Sequence, residues 1–360
     1  MLTFIIFLII LSILVVVHEA GHFLAAKKSG IKVDEFGLGY PPRAKKLFRW
    51  KNTDFTLNWL PFGGFVKIFG ENPDEEAETM KQPGSFSSKN RAVQASVLVS
   101  GVLANFIFAW FLISVGFMIG LPATIDSGLS LTNVHTVVVD VVSGSPAALA
   151  GLQAGDVIVS VGRGNIFSNT SPVQISNFIS SSNQPITFTV TRANKTLTEI
   201  ATPENGLAQG RLAVGVELDA VGTAKLSLLG AVHHGFISAT SDTWQIIVGL
   251  GIFLKSIFAG HADFSQVTGP VGIIGLVGSA RALGFVYLLT FTALISLNLA
   301  VINLLPIPAL DGGRLLFVLI ESIRRKPVSA KIFNFLNNAS FVLLVILMIL
   351  VTIRDVIHLF

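Results

Sequence analysis

The chain has 360 residues, of which 51% are hydrophobic and only 13% are charged, whereas about a quarter of the residues in an ordinary soluble domain are charged. This composition predicts an integral membrane protein. The net charge of +4 is small, and we set nucleic-acid binding aside because no basic cluster is interleaved with aromatic residues as such binding needs. The lack of cysteine excludes disulfides and thiolate metal sites.

The apolar segments predict four transmembrane helices. Residues 1–26, 92–120 and 282–305 are each long and apolar enough to span a bilayer, and a shorter apolar stretch near the end extends over residues 332–355. Residues 121–222, between the second and third spans, are rich in Ser, Thr, Gly and Asn and alternate as strands do. The predicted fold class is a polytopic α-helical membrane protein with an inserted mainly-β domain.

Charged residues between the spans predict the topology. Residues 27–91 hold 12 Lys and Arg, so the positive-inside rule places them in the cytoplasm, together with the basic segment in residues 306–331. Residues 121–220 hold four Lys and Arg against seven Asp and Glu, which fits the outer side. Because Lys27 and Lys28 follow the first apolar run and no basic residue precedes it, we expect a retained helix, not a cleaved signal peptide.

Residues 223–281 are ambiguous. They are apolar in places but carry ionisable side chains at His233, His234, Asp242 and Lys255. A span here would move the basic segment after the third helix to the outer side, against the positive-inside rule. We therefore expect amphipathic helices along the outer surface, with both chain termini outside.

Two histidines and a glutamate interrupt the first apolar run in the sequence VVVHEAGHF, residues 15–23. A charged side chain costs about 2.5–3.5 kcal/mol in the centre of a spanning helix. On a helix His18 and His22 share a face and can bind one metal ion, and Glu19 beside them can act as a general base. A buried polar cluster that joins helices is the alternative. His18 lies about 24 Å along the helix from Leu2, which places the site toward the cytoplasmic side.

A tetrahedral catalytic zinc ion needs a third protein ligand. Asp311, in the sequence NLLPIPALDGG after the third span, is the best candidate because Glu321 is more simply a solvated charge and the other histidines lie outside. Pro306 and Pro308 interrupt the helix and free backbone groups that must line a cavity. Asn303 could hydrogen-bond a peptide carbonyl or stabilise an oxyanion. We predict Asn303, Pro306 and Pro308 as substrate-binding residues.

Residues 54–70 predict a β-hairpin. Phe55, Leu57 and Trp59 alternate with polar residues, and the sequence PFGG makes the turn before FVKIF returns. The apolar face of this hairpin predicts that it dips into the membrane beside the metal.

The sequences HEAGH in the first helix and NLLPIPALDGG after the third, with the inserted domain between them, make the chain resemble the site-2 protease family. Within it the chain is most similar to the bacterial regulator-of-sigma-E-type intramembrane zinc metalloproteases. The resemblance implies zinc as the cofactor, His18, His22 and Asp311 as its ligands, Glu19 as the catalytic acid/base and Asn303 as a substrate-positioning residue.

Further features carry the same resemblance. Gly101 and Asn105 in SGVLANFIFA keep the spacing of the family and imply that the second helix packs near the site. In the family the hairpin is implicated in holding the substrate as an added strand; here it could equally pack only against the protease itself. The sequence GSPAALAGLQAGDVIVSVG, residues 144–162, resembles a PDZ domain, with a short helix followed by the Gly155–Asp156 turn into a strand. One PDZ copy would bind a peptide ligand or screen substrates by size.

These observations predict an intramembrane zinc metalloprotease of the bacterial cytoplasmic (inner) membrane, with an extracytoplasmic PDZ domain. It would cleave in or near the transmembrane segments of single-span proteins, such as membrane-bound anti-sigma factors or remnant signal peptides, within the lipid bilayer. A catalytically inactive metal-binding or PDZ scaffold is an alternative that the intact Glu19 disfavours. A protease with a glutamate as third ligand and a zinc transporter are disfavoured because the spans hold almost no other ionisable residues.

Overall fold

The computed structural model describes residues 2–71, 82–168, 170–192, 195–208, 210–261, 267–326 and 328–357. These residues form two compact units, one of residues 1–115 with 232–360 and one of residues 116–231. The helices in chain order are α1 (Leu2–Lys28), α2 (Arg91–Ile119), α3 (Pro146–Ala150), α4 (Pro172–Ser180), α5 (Leu228–Phe258), α6 (Pro270–Leu283), α7 (Phe285–Asn303), α8 (Asp311–Arg324) and α9 (Ala330–Ile357).

Eleven strands are described. They are β1 (Val33–Trp50), β2 (Thr53–Ile68), β3 (Leu121–Thr124), β4 (Leu131–Val141), β5 (Val157–Arg163), β6 (Ile166–Ser168), β7 (Ile186–Arg192), β8 (Lys195–Ala201), β9 (Glu204–Ala208), β10 (Arg211–Ala213) and β11 (Val216–Ala224). A short 3₁₀ helix, Ile125–Ser127, separates β3 from β4.

Five of the described helices are long and apolar enough to cross a membrane: α1, α2, α5, α7 and α9. The prediction of four spans is therefore not confirmed. The difference is α5, a single helix of 31 residues, where we expected separate helices along the outer surface. Asp242 and Lys255 are its only charged residues, and they lie far enough apart to leave a long apolar stretch. Among the described residues of this region α6 is the one short helix, with 14 residues that continue past 281 to Leu283.

Helix α1 is enclosed at two levels. Near its start Ile10 and Leu14 pack with Val277 of α6, and Leu14 is fully buried. Near its end Phe23 and Ala26 join a second core that includes the sheet of β1 and β2. The part of α1 between these two cores carries His18 and His22, which are also buried.

The sheet of β1 and β2 corrects the predicted hairpin. The tight turn between the strands is at Lys51 and Asn52, both with left-handed backbone angles, and not at PFGG. Residues 35–38 have two sets of partners, 54–57 on one side and 64–67 on the other. Residues 54–57 and 64–67, the two arms of the predicted hairpin, thus lie on opposite sides of residues 35–38. Among the described strand pairs they do not pair with each other. The outer neighbours of 53–58 are residues 43–50.

The prediction failed because the first strand carries no regular alternation. Pro41 and Pro42 lie inside it, and Gly37 and Gly39 replace side chains at two positions. At Gly37 a Cβ atom would lie 2.3 Å from the Phe65 ring, so the neighbouring segment requires glycine there. We call residues 63–68 the site edge of this sheet and residues 43–51, which include the turn residue Lys51, the basic edge.

The unit of residues 116–231 contains a sheet in the order β3-β11-β4-β5-β7-β8, with β6 paired to β5. Its core includes the fully buried Val161, Ile175 and Phe188. The predicted turn at Gly155 and Asp156 precedes β5, and the buried Asp156 carboxylate accepts two hydrogen bonds of 2.6 Å from Arg192. These bonds raise the pKa of Arg192 above its ordinary value. The assignment of this unit as a PDZ domain stays a prediction.

The end of α9 caps the start of α6. The Asp355 carboxylate accepts hydrogen bonds from the backbone N–H groups of Gly269 and Gly272, at 3.3 and 2.8 Å. A Cβ atom at Gly269 would lie 2.7 Å from this carboxylate. An anion at a helix N-terminus satisfies unpaired N–H groups and is favoured by the helix dipole.

Candidate metal centre

Helix α1 and the first residue of α8 bring three metal-binding side chains together. The i and i+4 spacing puts His18 and His22 on one face of α1, and Asp311, 293 residues further along the chain, approaches His18. Asp311 Oδ2 lies 2.9 Å from His18 Nε2 and 3.2 Å from His22 Nε2, and the two Nε2 atoms are 3.2 Å apart. A tetrahedron with metal–ligand bonds of about 2.0–2.1 Å has edges of about 3.3 Å. The three donor atoms therefore fit one zinc ion.

The hydrogen bond of His22 supports this fit. His22 Nδ1 lies 2.8 Å from the carbonyl oxygen of Val97 in α2. A carbonyl oxygen can only accept, so Nδ1 carries the proton and donates it, leaving the Nε2 lone pair directed at the cluster. Sequence reasoning missed Val97 because its contribution is a backbone carbonyl, which no side-chain pattern signals.

Asn105 of α2 occupies the corresponding position behind His18. Its amide Nδ2 is 3.3 Å from His18 Nδ1, and its Oδ1 is buried without a hydrogen-bond partner in the described part of the chain. With the amide turned by 180°, Oδ1 would accept the proton of His18 Nδ1 and free Nε2 for metal. Asn105 Oδ1 can therefore serve as the buried acceptor that His18 would need for its Nδ1 proton as a zinc ligand.

Gly101 forms the floor beneath both imidazoles. A Cβ atom there would lie 2.3 Å from His22 Nε2 and 2.8 Å from His18 Cε1. Glycine at this position lets α2 approach the ligand set closely enough for Val97 and Asn105 to reach the two rings. The spacing of Gly101 and Asn105 is therefore explained by one helix face that supports the metal centre.

A cavity of about 270 Å³ opens beside the ligand set. Glu19 and Asn303 line it together with Tyr40, Gly63 and Gly64 of the sheet. Gly64 lies against α1, since a Cβ atom there would be 3.4 Å from Val15 Cγ1 and 3.7 Å from Glu19 Cγ. The site edge of the sheet therefore forms one wall of this cavity.

The predicted substrate-binding residues divide into two groups. Asn303 lines the cavity, whereas Pro306 and Pro308 are not among its lining residues. The loop that holds both prolines passes tightly over the start of α8, where Cβ atoms at Gly312 and Gly313 would lie 2.2 Å from carbonyl oxygens of Leu304 and Ile307. The glycines of DGG thus allow the loop to place Asp311 beside α1.

Charged contacts fix α8 behind Asp311. Arg314 forms an ion pair of 2.8 Å with Glu71, and Arg91 of α2 forms one of 2.8 Å with Glu321. Glu321 is buried and also accepts a hydrogen bond from the Val328 N–H, so it is not the solvated charge that we expected.

The other histidines play no part in this cluster. His18, His22 and Asp311 are the one group of three or more potential ligands within the residues that the structure describes. His233 and His234 form an edge-to-face pair on α5. The structure thus brings together the three residues that the sequence motifs singled out.

Comparison with known proteins agrees with this geometry. The model of peptidase family M50 matches residues 6–347. A Clostridium perfringens protein named as a zinc metalloprotease is 37% identical over 356 residues, covering 97% of each chain. Zinc metalloprotease RasP of Geobacillus kaustophilus is 28% identical over 97% of this chain and 96% of its own. Regulator of sigma-E protease RseP of Salmonella typhimurium is 26% identical over 97% of both chains.

These matches extend over almost the whole chain, and the named relatives share its zinc-dependent class of activity. Together with the apolar helices, they show that this protein belongs to peptidase family M50 and is a zinc metalloprotease of the membrane-embedded site-2 protease type.

Proposed function

We propose that this protein hydrolyses peptide bonds in or near the transmembrane segments of single-span membrane proteins. The observation that carries the proposal is the convergence of three zinc-ligand atoms, 2.9–3.2 Å apart, on a helix that is apolar enough to span a membrane. In the proposed site His18, His22 and Asp311 hold the ion, which supplies Lewis acidity to a peptide carbonyl and lowers the pKa of water.

Glu19 is the proposed proton carrier. It lies next to His18 on α1 and lines the cavity. Its carboxylate accepts a proton from the attacking water and then donates it to the nitrogen of the leaving amine, so one side chain serves both halves of the reaction. Asn303, on another wall of the same cavity, is placed to hydrogen-bond the substrate backbone.

The substrate must be locally extended at the site. A peptide bond inside a helix is hydrogen-bonded and shielded, and unwinding exposes it to attack. The site edge offers a strand beside Glu19 to which an extended segment could add. This assignment is supported by the position of Gly64 against α1.

We further propose a location and a substrate class from family likeness. One relative is named as a regulator of sigma-E, and the resemblance to its family implies regulated proteolysis, with membrane-bound anti-sigma factors or remnant signal peptides as the proposed substrates. The chain would reside in the bacterial cytoplasmic membrane with its metal centre toward the cytoplasm. Residues 121–222 would form an extracytoplasmic PDZ domain that binds or screens substrates.

The test is cleavage of a model single-span substrate by the purified full chain and by Glu19→Gln. Zinc content is measured on both, and Glu199→Gln, which removes a half-buried carboxylate from the unit of residues 116–231, is the matched control. We expect zinc in all three proteins and cleavage only by the wild type and Glu199→Gln. Equal cleavage by Glu19→Gln would refute the assigned site, and zinc without cleavage by any protein would favour the scaffold alternative.

A further inference from the structure

The basic edge carries an unusual set of side chains. Residues 43–51 include five basic residues, Arg43, Lys45, Lys46, Arg49 and Lys51. Among them Leu47, Phe48 and Trp50 are 45%, 55% and 45% exposed. Basic and aromatic residues are therefore interleaved in this segment, contrary to the expectation that the chain has no such cluster. Its place in the fold decides what such a surface binds.

The charge of the basic edge is only partly neutralised. Arg43 forms an ion pair with Glu35, and Lys46 and Arg49 share Asp54. Lys45 and Lys51 have no acidic partner among the residues with described positions; Lys51 instead lies over the Trp50 ring at 4.7 Å. Five basic side chains thus face two acidic ones, which leaves an exposed positive surface.

The end of α1 fixes the level of this surface in the membrane. Helix α1 rises about 37 Å between Leu2 and Lys27. With Leu2 at one boundary of a core about 30 Å thick, Lys27 lies in the opposite headgroup layer. Lys27 Nζ donates a 2.8 Å hydrogen bond to the carbonyl of Lys51. The turn of the basic edge therefore lies at headgroup level.

Aromatic packing holds the edge at that level. Phe23, one turn before Lys27, lies 6.0 Å from the Trp50 ring and 5.7 Å from the Phe55 ring, between ring centroids. Phe48 stacks on Phe55 at 4.5 Å. These contacts tie the strand to the last turns of α1 and leave its basic side chains facing outward.

We infer that the basic edge binds anionic phospholipid headgroups on the membrane face where α1 ends. Lys and Arg near a membrane surface gain about 1 kcal/mol each from anionic lipids, and Trp is enriched at this level. A lipid surface is always adjacent to a side chain in the headgroup layer, whereas nucleic acid is not. Charge complementarity and depth together select phosphate headgroups held in the bilayer.

The binding has a structural consequence for the sheet. The basic edge pairs with residues 53–58, and these pair with residues 35–38. Residues 35–38 pair on their other side with the site edge, which lies beside Glu19. Lipid bound at one edge would therefore restrain the strand that forms a wall of the catalytic cavity. This last step rests on the proposed function, whereas lipid binding itself does not.

The experiment is hydrogen–deuterium exchange on the full chain in nanodiscs of phosphatidylcholine with 0 or 30 mol% phosphatidylglycerol. Residues 43–51 have strand partners on one side only in the described register, so headgroups can protect the other side. We expect exchange over 43–51 to slow at least about fivefold in the anionic discs, the equivalent of one bound basic side chain. High salt should reduce this protection.

Matched variants isolate the cause. Lys45→Gln/Lys51→Gln removes the two unpaired charges, and Lys195→Gln/Arg211→Gln removes two exposed charges from the unit of residues 116–231. The proposal predicts that only the first pair loses the lipid-dependent protection, with thermal stability in detergent unchanged for both. Equal exchange in the two disc types, or protection that survives in Lys45→Gln/Lys51→Gln, would overturn it.

Two further results discriminate among partners and functions. Protection that appears in phosphatidylcholine only after an acidic peptide is added would overturn the lipid assignment in favour of a protein partner. Cleavage of the model single-span substrate is measured in both disc types. Lipid-dependent protection without any cleavage would support lipid binding while refuting the proposed protease function, so that the two failures remain distinguishable.

Discussion

The site edge and the basic edge belong to one small sheet but face different surroundings. The site edge begins with Gly63 and Gly64 and touches α1 beside Glu19. The basic edge has charged and aromatic side chains at nearly every position and is exposed throughout. Small residues permit the close approach of backbones, whereas lysines on an edge strand oppose pairing with another chain.

This difference shows how one sheet can offer a single productive edge. An extended peptide can add to either edge of a sheet in principle. Charges and bulky rings discourage addition at the basic edge, and the glycines leave the site edge open next to the ligand set. For the proposed addition of a substrate strand, residue size and charge therefore favour the edge beside the candidate metal centre.

The largest effect is expected at the candidate metal centre beside the site edge, for Gly101→Ala on α2. Its Cβ would lie 2.3 Å from His22 Nε2, so the ligand set must spread and zinc affinity should fall at least about a hundredfold. Zinc titration with a competing chelator measures this. Gly249→Ala in α5, where nothing lies within 4 Å of the added Cβ, is the control and should keep wild-type affinity. Unchanged zinc affinity in Gly101→Ala would contradict the assignment of His18 and His22 as zinc ligands.

A smaller effect is expected at the site edge itself, for Gly64→Val. A Cβ there would lie 2.9 Å from the carbonyl oxygen of Gly37, so the strand must shift away from Glu19. We expect zinc to be retained and cleavage to fall at least about tenfold, as misplacement by about 1 Å can cost more than that. Ala44→Val adds the same side chain on the exposed basic edge and should leave cleavage unchanged. Equal losses in the two variants would abolish the distinction between the edges.

The smallest effect is expected at the basic edge on acidification. The hydrogen bond from Lys46, opposed in part by desolvation, lowers the pKa of Asp54. The carboxylate therefore stabilises the folded edge above its ordinary pKa of about 3.9, and this contribution is lost as the pH falls through the lowered pKa. Exchange over residues 43–51, corrected for its intrinsic rate, should rise a few-fold between pH 5 and pH 3.

Asp54→Asn supplies the control for the pH effect. It lacks the titrating group, so its exchange over the same residues should already be faster at pH 7 and should show no further rise from this source. An identical acid response in Asp54→Asn and the wild type would mean that other groups hold this edge.

Sequence patterns were informative where one side chain carries the signal. HEAGH singles out His18 and His22 because metal ligation by one helix needs side chains at i and i+4, DGG singles out Asp311 as a carboxylate, and the structure places the three together. The apolar runs locate α1, α2, α7 and α9 to within a few residues because bilayer thickness sets their length. Each of these predictions depends on chemistry that is local in sequence.

Sequence patterns did not predict features that depend on backbone groups far away along the chain. Nothing in the residue types around Val97 predicts that its carbonyl orients His22. Strand β1 was missed because its partners on two sides, rather than its own alternation, make it a strand. The prediction of four spans depended on where basic residues fall in the loops, and loop charges do not show that residues 228–258 form one long helix.

The distance along the chain between the metal ligands has a consequence for biosynthesis. His18 and His22 enter the membrane with the first helix, but Asp311 is synthesised 293 residues after His18. Until that aspartate has been translated and folded back against α1, the nascent chain holds only two of the three proposed ligands. With this ligand set the protease would stay inactive at the ribosome and during insertion, when unfolded membrane segments, including its own, lie closest to it.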